Sequence, residues 1–404
     1  MRTGMSTLNA DISPLACDNV SAFASEIFSP MPRMDQRRWA EVYLRGLLMV
    51  DGKKSVRRIA ESLPIFQAKQ SLQQFINQSP WDWEPVRALL ARHAEASRRP
   101  QAWSVERVVI PKRGERSVGV QKRFVPELGR TVNSQLGLGV VLTSDTMSVP
   151  VDWRIALHGK WREEAAFRRS AYIPENVYGK PEWAEITDML EEMGTRWHLS
   201  PAPVIGNLRH LPDAARLVNW LTARGIDYAV EVDASFPVTK GDAAAYPARP
   251  VTNARDVLRD ATGSVAQRGA GALSLTRARR GRLISQYVRV PTAARLVKSP
   301  PQQPVRLIGE ITAAQEPTRF WLTNVTGGLL EEVMPLVSLS ARSRAGMQRL
   351  ETHFGLRDFE GRSFRGWHHH MTMVSTAAAY SALREAAAHP GPLAAAGAHR
   401  DLSA

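Results

Sequence analysis

The sequence predicts an α/β protein: a mixed sheet with flanking helices, preceded by an all-α unit and interrupted late by a β-rich insertion. Three observations lead there. Apolar residues recur at helical spacing over residues 35–96, the period changes to two from Trp103, and helix alternates with strand from Glu182 to Val232. With 404 residues, the chain exceeds the roughly 250–300 that one core serves. The pattern divides it into a flexible arm (1–34), a helical unit (35–100), a first α/β part (101–234), the insertion (235–327), closing helices (328–388) and a flexible tail (389–404).

The arm holds Pro14, Pro30 and Pro32 and no clear period. Trp39, Val42, Tyr43, Leu47 and Leu48 mark one helix. Val56, Ile59, Ala60 and Leu63 mark a second, with Ser55 as its N-cap candidate. Leu72, Phe75 and Ile76 mark a third, and Val86, Leu89 and Leu90 a fourth. Strands are expected at 104–110, 118–124 and 131–143, then at 203–206 and 227–232, with helices at 182–196 and 212–224. Gly225 suits the C′ position that ends the second of these helices. Residues 235–330 show no helical rhythm but hold β-like runs at 286–290, 304–311 and 319–323. Helix returns at 328–354 and 366–385. Three strands, then helix–strand–helix–strand and a closing helix, is an RNase H-like order.

Lys and Arg number 53 against 39 Asp and Glu, a formal charge of +14. Such an excess favours a polyanionic partner, because basic side chains displace counterions condensed on phosphates. The single cysteine, Cys17, excludes an internal disulfide and fits a reducing cytoplasm. No signal peptide and no membrane-spanning apolar run is visible.

Several tracts carry a resemblance. In the helical unit they are Arg45-Gly46-Leu47-Leu48 with Lys54-Ser55-Val56, Gln70-Ser71-Leu72-Gln73-Gln74-Phe75, and Ser79-Pro80-Trp81-Asp82-Trp83 with Pro85-Val86-Arg87. Pro111-Lys112-Arg113-Gly114, Ser117-Val118-Gly119-Val120, Asp152-Trp153-Arg154 and the run Phe359–His370 follow. In order and spacing the chain resembles DDE transposases of bacterial insertion sequences, the actinobacterial DDE superfamily endonuclease kind, over about residues 40–385. The resemblance implies an RNase H-like core in which two Asp and one Glu hold two divalent ions for phosphodiester chemistry.

The triad is degenerate. Glu106-Arg107-Val108 stands where the family has Asp-Asp-Thr, Asn207 where it has the second Asp, and Arg344 where it has the Glu of the closing helix. Arg107 and Arg344 are expected to make the pocket cationic, and like-charge repulsion then opposes metal binding. No cofactor is expected on this reading. The rival is an active transposase with a rebuilt site of Glu106, Asp213 and Glu351, which requires magnesium; for Glu351 the plainer role is a surface ion pair.

Lys53, Lys54, Arg57 and Arg58 cluster at the second helix, where they suit phosphates. Gln70, Gln73, Gln74 and Asn77 of the third are of the type that pairs with adenine in a helix-turn-helix reading, or they form a plain solvent face. Lys112, Arg113, Arg279, Arg280, Arg282, Arg362 and Arg365 complete the basic candidates. Trp81 and Trp83 read as core more than as base-stacking residues. His368-His369-His370 reads as packing and DNA-backbone contact more than as a metal site, because consecutive helical residues point apart. The sequence therefore predicts a nuclease-dead, double-stranded-DNA-binding protein acting as a regulator or DNA-targeting subunit, cytoplasmic and nucleoid-associated, with a homodimer as an option. A decaying insertion-sequence relic is a further alternative.

Overall fold

In the computed structural model the described residues are 20–62, 68–240, 250–268, 276–278, 281–291, 303–311, 316–327 and 330–388. Helices come first: α1 (Val20–Ile27), α2 (Met34–Met49), α3 (Val56–Glu61), α4 (Ala68–Asn77) and α5 (Trp83–Ser97). The Ser55 hydroxyl accepts from the Arg58 amide at the start of α3, and the Asp82 carboxylate accepts from the Glu84 amide at the start of α5. Residues 20–33 correct the expected arm: Phe23, Ile27, Phe28 and Met31 are fully buried. Phe23 and Ile27 are one helical turn apart, a signal that Pro30 and Pro32 obscure.

The sheet begins at β1 (Ala102–Pro111), which pairs antiparallel with β3 (Arg130–Thr143). One half of β3 carries β2 (Gln121–Val125) and the other β4 (Ser148–Ile155). Strand β4 was not expected. Pro150 lies at its register shift, and Asp152 and Arg154 break its apolar pattern. Two short helices, α6 (Lys160–Glu163) and α7 (Ala165–Ser170), lead to α8 (Glu182–Thr195). β5 (Val204–Asn207), α9 (Ala214–Ala223) and β6 (Tyr228–Val232) follow, with β5 parallel to β1 and β6 parallel to β5. Three antiparallel strands and two parallel ones in the order β4-β3-β1-β5-β6 give the expected RNase H-like core.

The insertion extends the same sheet. β12 (Pro317–Thr323) pairs with β6, followed outward by β11 (Val305–Ile311), β10 (Gly281–Arg289) and β7 (Pro237–Lys240), while β8 (Thr252–Asn253) flanks β7 and β9 (Thr276–Ala278) flanks β10. It also contains a helix the sequence did not reveal, α10 (Ala254–Arg268). Asn253 caps it, its Oδ1 accepting from the Asp256 amide, and it buries Val257 and Leu258. Gly263 and Ser264 mask its period.

Two long helices close the chain, α11 (Leu330–His353) and α12 (Phe364–Ala388). Helix α11 covers one sheet face through Leu330, Val333 and Leu339 against Ala102, Ile205, Ala229, Ile308 and Trp321. Helix α12 is the hub of the larger core: β4 packs on it, and α2, α4 and α5 surround it.

Candidate functional site

Where α11 crosses the parallel strands, three polar side chains share one sheet face. Side chains on a strand alternate between faces. Asn207 follows Ile205 by two, and Glu231 follows Ala229 by two, so both face α11; they are direct partners in register. Glu106 sits one residue past the Val105–Gly206 pair on the neighbouring strand and faces the same way. Its Oε1 accepts from the Ser104 hydroxyl at 2.8 Å and from the Ser343 hydroxyl of α11 at 2.6 Å. Burial pushes the Glu106 carboxyl above the usual carboxylate range, and the two hydroxyls partly oppose that.

Glu231 is the group that sequence reasoning missed. Its buried carboxylate accepts from Arg319 of β12 at 2.9 and 3.3 Å, and Arg344 of α11 lies 3.7 Å away. Glu310 of β11 adds a carboxylate 3.8 Å from Arg319. A lone acid in the otherwise apolar strand Tyr228–Val232 was the available signal. Asn207 Oδ1 accepts from the Arg209 amide at 3.0 Å.

This geometry corrects the expected charge of the centre. Arg107 points to the opposite face of β1, where it pairs with Glu182 of α8 at 2.7 Å. The two arginines that remain, Arg319 and Arg344, meet Glu231, and Glu310 lies beside the first. The centre is internally neutralised rather than cationic. It also fits a pair of divalent cations poorly. One carboxylate is held by hydroxyls, the second by guanidinium groups, and an amide stands between them. Asp213 and Glu351 do not join it: Asp213 is exposed at the start of α9, and Glu351 pairs with Arg357 at 2.7 Å. Among the described residues no group of three or more His, Cys, Asp or Glu is placed to hold a metal ion.

The tracts of the resemblance meet instead in the interior. Arg87 Nη1 donates to Asp152 Oδ1 at 3.0 Å and to the Trp153 carbonyl at 2.8 Å; its Nε donates to Thr372 Oγ1 at 2.8 Å. Trp153 Nε1 donates to Ser375 Oγ. His368 stacks on Trp83 and His369 on Trp81, with ring centroids 4.5 and 3.8 Å apart. His370 lies between the Tyr43 hydroxyl and the Gly355 carbonyl, 3.0 Å from each. All three imidazoles are buried and held below the ordinary histidine range by burial, His369 to about 3 and His370 to about 4. The packing role holds; contact with a DNA backbone does not, because the rings have no exposed edge.

The basic candidates separate into two groups. Lys53 pairs with Glu360, and Arg57 with Glu61. Arg58 is exposed, whereas Lys54 is largely buried, with the base of its side chain against Gly355. Lys112 donates to the Phe359 carbonyl, and burial lowers it to about 8; Arg113 and Arg282 are exposed elsewhere. Arg279 and Arg280 lie outside the described residues.

Gln70, Gln73, Gln74 and Asn77 form one wall of a groove of about 910 Å3, and Arg362 and Arg365 belong to the other. The second wall also carries Ser170 and Tyr172, which no sequence signal had picked out. Gly361 is needed for the closure, because a Cβ there would stand 2.3 Å from Asn77 Oδ1. Among the described residues that line this groove none is acidic.

No curated protein matches the chain. Among solved structures it is similar to the cryo-EM structure of the piggyBac transposase synaptic complex with hairpin DNA. The identity is 10%, the coverage 92% of this chain and 74% of that one, and the TM-score 0.44. The family model described as DDE superfamily endonuclease matches residues 26–271, which include β1 and β5. That match spans more than half of the sequence, and the chain belongs to the DDE superfamily endonuclease family.

Proposed function

We propose that this chain is a double-stranded-DNA-binding protein of transposase descent whose nuclease centre no longer cleaves, acting as a regulator or as a DNA-targeting subunit on the nucleoid. One observation carries the reading: Arg319 and Arg344 take the Glu231 carboxylate beside Asn207, where the chemistry of the family calls for anionic oxygens free to bind divalent cations. The charge of +14 and the acid-free groove support a phosphate-bearing partner. Among the described residues no helix is long and apolar enough to cross a membrane.

Gel-shift titration of duplex DNA over a salt series tests the reading. Affinity is expected to fall about tenfold or more between 50 and 200 mM salt, and to weaken across all sequences in the Arg58→Ala/Arg113→Ala variant, whose arginines are exposed outside the groove. No salt-sensitive binding removes it. A second reading, an active nuclease, draws on the shared face of Glu106 and Glu231. Nicking of plasmid in magnesium or manganese, lost in both Glu106→Gln and Glu231→Gln, selects that reading instead.

A further inference from the structure

The amide face of α4 does not stand out from the surface as a helix must to enter a major groove about 12 Å wide. It faces a second wall across a concave space of about 910 Å3. That volume belongs to the size class of small-ligand pockets, roughly 300–1,000 Å3, and admits a few bases but no duplex. The lining chemistry is that of a nucleotide site. Gln73 and Asn77 offer paired donors and acceptors to base edges, and Arg362 and Arg365 offer guanidinium groups to phosphates, with no carboxylate among the described lining residues to repel them.

Tyr172 supplies a second, independent observation. The Ile173 amide donates to the Arg168 carbonyl and the Tyr172 amide to the Arg169 carbonyl, a Schellman end to α7 with Tyr172 at C′. Its φ is 55°. Glycine is the residue that adopts this conformation without penalty, so a tyrosine there spends conformational energy. Packing does not repay it: the side chain is 78% exposed, at the rim of the groove. An exposed aromatic ring beside arginines and amides is a platform on which a base can stack, and backbone strain of this kind concentrates at ligand clamps.

We infer that this groove binds unpaired nucleotides of a DNA strand, with Tyr172 as the stacking platform, an inference that rests on the reading that the chain binds DNA. Duplex contact then belongs to other basic surfaces, and the groove takes a frayed end or an extruded base.

Fluorescence anisotropy on the full chain tests it with three probes: a blunt duplex, the same duplex with a four-nucleotide 3′ or 5′ overhang, and that duplex with an RNA overhang. The DNA overhang is expected to bind about tenfold tighter than the blunt end, the worth of one base stacked on an aromatic ring. Tyr172→Gly is expected to abolish that difference while leaving the melting temperature unchanged or higher, since glycine relieves the backbone. Tyr172→Phe is expected to keep it. Equal affinity for blunt and overhang probes, or a preference unchanged in Tyr172→Gly, overturns the groove assignment while duplex binding stands. A preference for the RNA overhang overturns the assignment to DNA. Absence of binding to every probe overturns both the groove and the DNA-binding reading.

Discussion

Arg87 brings a guanidinium into a fully buried position, and the fold answers it with the Asp152 carboxylate, two carbonyls and a hydroxyl. Burial still lowers it to about 10, although Asp152 opposes that. Removing one member of such a pair leaves a buried charge without compensation. Arg87→Met is expected to lose about 3–5 kcal/mol in denaturant unfolding, and the double variant with Asp152→Asn to recover part of it. The adjacent histidines make a second residue-scale prediction. Their folded-state values lie below the unfolded value near 6.5, so the unfolded chain takes up protons that the folded chain refuses. Their stability is fully present above about pH 6.5 and is lost as pH falls through about 4. Each imidazole contributes a slope of about 1.4 kcal/mol per pH unit in that window. Urea midpoints measured from pH 7 to 4 are expected to fall, less steeply in His370→Gln; a midpoint independent of pH contradicts the assignment. Residue roles in this cluster were only half legible in the sequence. The tract Trp367–His370 announced itself, but only packing against Trp81 and Trp83 reveals that its rings serve the interior.

Between elements, the decisive contact is α11 on the parallel strands. Ser343 reaches β1, Arg344 reaches β6, and the partners they meet are separated along the chain by the whole insertion. That explains why Glu106, Asn207 and Arg344 could be placed by motif order while Glu231 and Arg319 could not. No local pattern ties β6 to β12; their antiparallel register does, with Trp321 opposite Glu231. Arg107 shows the reverse error. Sequence adjacency put it in the pocket with Glu106, and strand alternation sends it to Glu182 on the other face. Because burial raises the Glu106 carboxyl, its charged form is disfavoured in the folded state. Glu106→Gln keeps an acceptor for the two serine hydroxyls. Its melting temperature at pH 7 is expected to equal or exceed that of the parent, with a change within about 1 kcal/mol; a large loss contradicts the account of that contact. Elements with strong period, β1, β3, α8 and α11, were readable. Those with prolines or small residues, α1, β4 and α10, were not, because tertiary contacts supply what their local sequence lacks.

Across the whole molecule, the RNase H-like order survives with an insertion that lengthens the sheet and a helical layer wrapped on α12. Net charge was a poor guide to the centre, where acids and guanidinium groups balance. On the proposed reading, the framework of the family is kept where it packs and changed where the chemistry of the family calls for metal. Titration of the purified chain with Mn2+, followed by electron paramagnetic resonance of the free ion, tests that most directly. The account predicts no uptake of the ion beyond what a Glu106→Gln/Glu231→Gln variant shows. Two ions bound per chain, and lost in that variant, contradict it.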